Sequence, residues 1–119
     1  MMLLTKEIID RMPGPRGQEG KGMDAIVHLK LFDPFGQGTW LITEAWKVVE
    51  DATGETREIP LKEDPAPGEK VVQTVLYGYC FLGDWEWGPV LLEEIESVRR
   101  IEREKGESDG KHTVRQLAK

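Results

Sequence analysis

Val71-Val72-Gln73-Thr74-Val75-Leu76-Tyr77-Gly78-Tyr79-Cys80-Phe81-Leu82-Gly83-Asp84-Trp85-Glu86-Trp87 is the longest run of β-branched and aromatic residues in the chain. Such side chains fit a pleated, half-buried surface, so the run reads as a central strand that turns and returns. Alternation puts Val71, Gln73, Val75, Tyr77, Tyr79 and Phe81 on one face and Val72, Thr74, Leu76, Gly78, Cys80 and Leu82 on the other. Neither face is strongly polar, so the strand is expected to be covered on both faces, or on one face by a helix. Gly78 carries no side chain inside this run, which predicts a bulge or a close backbone approach. Gly83-Asp84 reads as a tight hairpin turn, because glycine tolerates positive φ and aspartate favours turns. The return strand then carries Trp85 and Trp87 on one face with Glu86 opposite, and Gly88-Pro89 is expected to end it.

Upstream of this hairpin the same period recurs. Residues 24–32 read as a strand with Ala25, Val27, Leu29 and Leu31 on the core face and Ile26, His28, Lys30 and Phe32 on a mixed outer face. Residues 33–38 read as a turn. Residues 39–49 read as the antiparallel return, with Trp40, Ile42, Trp46 and Val48 on one side and Glu44 interrupting that side. A turn at 51–54 leads into a short edge strand at 55–61. The acidic loop 62–70 contains Pro65 and Pro67, which keep it out of any sheet interior.

The two ends read as helical. Thr5 can cap a short helix, Leu4 can pack on Ile9 as a hydrophobic staple, and Leu4, Ile8, Ile9 and Met12 form an apolar stripe. Pro13 stops that helix, and residues 14–22, with four glycines, read as a flexible loop. Beyond Pro89 the period changes: Leu91, Leu92, Ile95, Val98 and Ile101 recur at helical spacing. Glu96 with Arg100, and Arg100 with Glu104, supply i,i+4 pairs, and Glu93 and Glu94 suit the first turn. The resulting expectation is an α+β fold, a single antiparallel sheet of about four to six strands with a short N-terminal helix and a longer C-terminal helix packed on it. Residues 1–105 form that domain; 106–119 form a basic tail, either disordered or one or two helical turns after Thr113.

Composition narrows the class. A chain of 119 residues is one domain with room for a real core. Charged residues make up 32% and the net charge is −6, which argues against a general nucleic-acid binder, since that needs a basic face. No run approaches the roughly 18 apolar residues of a membrane span, and Met1-Met2-Leu3-Leu4-Thr5-Lys6 turns polar too soon for a signal peptide. The single cysteine, Cys80, cannot form an internal disulfide, so a reducing, cytoplasmic setting is expected.

Signatures of chemistry are weak. His28 and His112 stand alone, without the ligand spacing of a metal site. Gly17-Gln18-Glu19-Gly20-Lys21-Gly22 is not a phosphate loop: no strand precedes it, and Met23 stands where serine or threonine should follow. Cys80 inside an apolar strand reads as inert core. Glu44, Asp84 and Glu86 could do acid–base work only if two of them converge in a pocket. No catalytic residue, metal or cofactor is assigned. The aromatics say more, because tryptophan and tyrosine fill cores but also line pockets and interface hot spots. Trp40, Glu44, Tyr77, Tyr79, Asp84, Trp85, Glu86 and Trp87 form the candidate binding set, with Trp85 and Trp87 expected to stay partly exposed.

Three functional classes follow. The first is a small protein-binding module. The second is an acidic anti-defence or regulatory inhibitor that occupies the nucleic-acid-binding surface of a host protein, favoured if Glu50, Asp51, Glu55, Glu58, Glu63, Asp64 and Glu69 share one face. The third is a carboxylate-dependent hydrolase. The partner is expected to be another protein, and the edge strand at 55–61 allows a homodimer as well as a monomer.

Three motifs in order also carry a resemblance. They are Leu3-Leu4-Thr5-Lys6-Glu7 with Pro13, the run Phe32-Asp33-Pro34-Phe35-Gly36-Gln37-Gly38-Thr39-Trp40-Leu41-Ile42-Thr43-Glu44, and Leu92-Glu93-Glu94-Ile95-Glu96-Ser97 preceded by Gly78, Asp84, Glu86 and Gly88. Together they resemble an uncharacterised bacterial and plasmid-borne domain family over most of the first hundred residues. The segment between Glu44 and Gly78 is longer here, and the C-terminal tail departs from the family's ending. The resemblance implies a mobile-element origin and assigns no activity.

Overall fold

A computed structural model describes residues 3–118. Met1 and Met2, which open the stretch weighed as a signal peptide, and Lys119, the last residue of the basic tail, lie outside the described residues. The chain is mostly strand, 40% against 19% helix. The strands are β1 (Ile26–Val27), β2 (Leu29–Phe32), β3 (Thr39–Glu50), β4 (Thr56–Pro60), β5 (Lys70–Phe81), β6 (Trp85–Leu91), β7 (Glu102–Arg103) and β8 (His112–Thr113). The helices are α1 (Lys6–Arg11), α2 (Leu92–Ser97) and α3 (Val114–Leu117). Six strands form one antiparallel sheet in the order β6-β5-β3-β2-β7, with β4 also paired to β3, while β1 and β8 form a separate pair.

The α+β expectation with a long C-terminal helix is therefore corrected. The helix ends after six residues, at Ser97, whose hydroxyl turns back to the Glu94 carbonyl at 2.6 Å. Beyond it the outer edge of β2 competes for the chain and wins. Leu31 and Phe32 pair with Arg103 and Glu102, and the Glu104 amide donates to the Lys30 carbonyl. Ile101 is buried in the main core, a gain of roughly 2 kcal/mol. Each i,i+4 pair of the continued helix would have contributed only about 0.3 kcal/mol. Arg100 instead bonds both carboxylate oxygens of Asp33 at 2.9 Å.

Strand β6 also runs past the expected stop, through Gly88 and Pro89 to Leu91. Pro89 is tolerated because β6 is the edge of the sheet, where a missing N–H breaks no ladder. The strand read at 24–32 splits at His28, whose amide donates to the Ile42 carbonyl, so β1 leaves the sheet to pair with β8.

The two long strands β3 and β5 organise the sheet. Their register shifts between Ile42 and Glu44. Ahead of this bulge Trp40 and Ile42 join the main core with Leu76 and Cys80. After it the parity inverts: Ala45 joins that core, while Glu44 and Trp46 turn to the other face. This corrects the single apolar side read for Trp40, Ile42, Trp46 and Val48. Gly78 sits opposite Ile42 at the same point, and a Cβ there would lie 1.9 Å from the Leu41 carbonyl oxygen. A close backbone approach is what its position in the run implied.

The main core is closed by α1, capped by Thr5 (3.2 Å to the Ile8 amide), and by α2. The opposite face is covered at one end by a smaller cluster in which Leu41, Val27 and Val114 are fully buried. Residues 105–118 supply a 3-10 turn, β8 and α3, the last held by a capping box of Thr113 and Gln116. Arg11 links this end to the rest: its guanidinium donates to the carbonyls of His28 and Ser108 and to His28 Nδ1.

Candidate binding site

On one edge of β3, β2 pairs with residues 39–42 and β4 with residues 46–50. The backbone between them would be left without a strand neighbour, and the segment after α1 fills that gap. The Ala45 amide donates to the Pro13 carbonyl at 3.0 Å. The Gln18 side chain, almost fully buried, donates to the carbonyls of Thr43 and Ile26 at 2.8 and 2.7 Å and accepts from the Ile26 amide at 2.7 Å. One amide group thus completes a ladder that the sheet cannot complete itself.

Glu44 fixes the same segment from below. Its two carboxylate oxygens accept from the amides of Arg16 and Gln18 at 2.9 and 3.1 Å. Arg16 is held at φ 61°, an uncommon conformation for a residue with a side chain. The loop read as flexible is therefore a chain of hydrogen-bonded turns tied to the sheet at two points.

Between this loop and the sheet lies a cavity of about 520 Å³, within the size range of ligand sites. Its floor is Glu44 and Trp46 from β3, Tyr77 from β5 and Trp87 from β6; Glu58 of β4 and Glu19 of the loop stand at its margins. Register explains the convergence. Glu44 pairs directly with Tyr77, and Glu58 pairs with Val48, two residues along the same face from Trp46. Glu44 is 6% exposed, whereas Trp87 is 38% exposed. The Trp46 indole Nε1 is buried with no hydrogen-bond partner among the described residues.

Trp87 continues into a ladder of rings. Tyr77 and Trp87 stack at 6.2 Å, Tyr79 and Trp85 at 4.9 Å, Tyr79 and Trp87 meet at 5.0 Å, and Phe81 and Trp85 at 5.3 Å. These are cross-strand neighbours on one face of β5 and β6. Trp85 and Tyr79 are half-buried against the cluster that holds Val114.

The eight residues singled out from sequence divide. Glu44, Tyr77 and Trp87 line the cavity, and Tyr79 and Trp85 extend its aromatic wall. Trp40 is buried in the main core on the other face of the sheet. Asp84 and Glu86 border a smaller hollow of about 270 Å³ at the edge of β6. Glu86 pairs with Cys80, a core-face residue, so it lies on the face opposite Glu44 and the two carboxylates do not converge. Trp46, Glu58 and the loop residues Arg16, Gln18 and Glu19, which also line the cavity, were not among those eight. The i,i+2 spacing of Glu44 and Trp46 was the available signal, masked by the bulge.

Two further groups bear on chemistry. Burial pushes the Cys80 thiol up to about 11, which keeps it a protonated, unreactive part of the core. His28 is lowered to about 4, by burial first and then by the charges of Arg11 and Lys21. Among the described residues no group of three or more histidine, cysteine, aspartate or glutamate side chains could hold a metal ion. No described helix is long and apolar enough to cross a membrane.

No protein-family model, no curated protein and no solved structure matches the chain. The resemblance to the plasmid-borne family thus rests on its three motifs alone.

Proposed function

We propose that the chain is a small binding module that receives a projecting group of a partner protein in the cavity between residues 15–22 and the sheet. The observation that carries this reading is the convergence of Trp46, Tyr77 and Trp87 with Glu44 and Glu58 around one open cavity. Aromatic rings beside a few fixed polar groups are the usual make-up of a recognition site.

The competing classes have less support. Glu58 faces the cavity, while its neighbour Arg57, on the other face of β4, binds Glu69 at 2.7 Å and approaches Glu63 at 3.7 Å. Glu58 thus lies apart from Glu63 and Glu69, which Arg57 partly neutralises, and although Glu50, Asp51 and Glu69 border one hollow, the seven acidic residues do not all share one face, which weakens the inhibitor reading. For hydrolysis, Glu44 is engaged by two backbone amides and stands apart from Glu86.

The test is crosslinking in the native cell, identification of the crosslinked partner, and reconstitution from purified proteins. Trp87→Ala is expected to weaken the reconstituted complex at least tenfold while the variant stays folded, with a lower unfolding midpoint from the lost stacking on Tyr77 and Tyr79. A complex formed equally well by Trp87→Ala and Trp46→Ala would place the interface elsewhere and end this reading.

A further inference from the structure

Resting on the reading that this cavity is the binding site, we infer that the group it receives is an organic cation, the guanidinium of an arginine side chain on the partner. Three observations carry this. The rings of Trp46, Tyr77 and Trp87 line the cavity, and the quadrupole of an aromatic face attracts a cation and disfavours an anion. Three carboxylates, Glu19, Glu44 and Glu58, stand around the cavity against one guanidinium, that of Arg16. Glu44 is also buried and preoriented: the Arg16 and Gln18 amides take one lone pair on each oxygen and leave the others free. A carboxylate already desolvated and held by the protein needs no reorganisation when a cation arrives, so more of the attraction appears as affinity.

Planarity favours guanidinium over ammonium. A flat guanidinium can stack on an aromatic ring while its N–H fork meets a carboxylate in two places. An ammonium is a point charge that gains from the rings but not from the fork. The cavity volume of about 520 Å³ admits a whole side chain with the backbone around it.

The experiment uses three Nα-acetylated amides as probes, of arginine, lysine and citrulline, titrated into the full chain and followed by tryptophan fluorescence and by amide NMR shifts. Citrulline keeps arginine's shape and length and loses its charge. The arginine probe is expected to bind at least tenfold more tightly than citrulline and several-fold more tightly than lysine, with affinity falling as salt rises. Glu58→Gln, at an exposed side chain that the fold does not need, is expected to weaken arginine binding several-fold and citrulline binding by less. An acetyl-Gly-Arg-Gly amide that binds more tightly than the arginine probe identifies a peptide as the source; equal binding identifies a free small cation and overturns the partner arginine.

Citrulline binding as tightly as arginine overturns the cation while the cavity survives as a binding site. Failure of every probe, together with a reconstituted complex that still depends on Trp87, also overturns the cation and spares the site. Failure of every probe with a complex indifferent to Trp87 removes both.

Discussion

Single residues decide whether this sheet can form. Gly78 lies where β5 crosses the bulge of β3, and an added Cβ would meet the Leu41 carbonyl and the Ile42 Cα, at 1.9 and 2.8 Å. Backbone cannot move aside there without breaking the ladder, so Gly78→Ala is expected to cost about 3 kcal/mol or more. Urea unfolding measures this, and a midpoint unchanged from wild type would contradict the register of β3 and β5. His28 sets a second test. Its folded-state value of about 4 lies below the ordinary 6.5, so the unfolded chain takes up the proton first and acid favours unfolding. The stability that the neutral imidazole supports is complete above pH 6.5 and is lost as pH falls through that window towards 4. His28→Gln is expected to lose less stability than wild type between pH 7 and pH 5. Equal losses would mean that the imidazole is not held neutral by its burial and the charges of Arg11 and Lys21.

At the scale of elements, short pieces compete for the edges of a long sheet. Residues 92–103 have a helical pattern, yet a helix of about twelve residues is marginal alone. An open edge on β2 offers paired backbone instead, so the chain leaves the helix at Ser97 and returns as β7. The same logic holds the end of the chain. The Val114 amide donates to the Ala25 carbonyl at 3.0 Å, and its side chain is fully buried against Val27 and Leu41. Val114→Ala is expected to destabilise by about 2 kcal/mol, and the Val114 amide to exchange slowly in the wild type. Exchange at the rate of an unstructured peptide would show that β8 and α3 are not docked.

For the whole molecule, the principal dimensions are 45 × 31 × 25 Å. A twelve-residue strand spans about 40 Å, so β3 and β5 account for the long axis. Because β2 and β4 share one edge of β3, the sheet has a gap midway, and the cavity opens where the loop after α1 bridges it.

Local pattern determined much of this. Runs of β-branched and aromatic residues at period two marked β3 and β5, Gly83-Asp84 marked the hairpin that joins β5 to β6, and Thr5 with Pro13 bounded α1. Five of the eight candidate residues, Glu44, Tyr77, Tyr79, Trp85 and Trp87, lie at the cavity or along its aromatic wall, because side chains two apart on paired strands must share a face. What only tertiary structure decided is where that parity changes and what fills the gaps. The bulge at Thr43 comes from strand pairing and moved Trp40 to the core and Trp46 to the cavity. Gln18 and Glu44 are distant in sequence and meet because unpaired backbone groups in a gap must find partners. The C-terminal helix yielded to an open sheet edge for the same reason. A period records which residues face together; it does not record which backbone groups remain unsatisfied until the sheet is assembled.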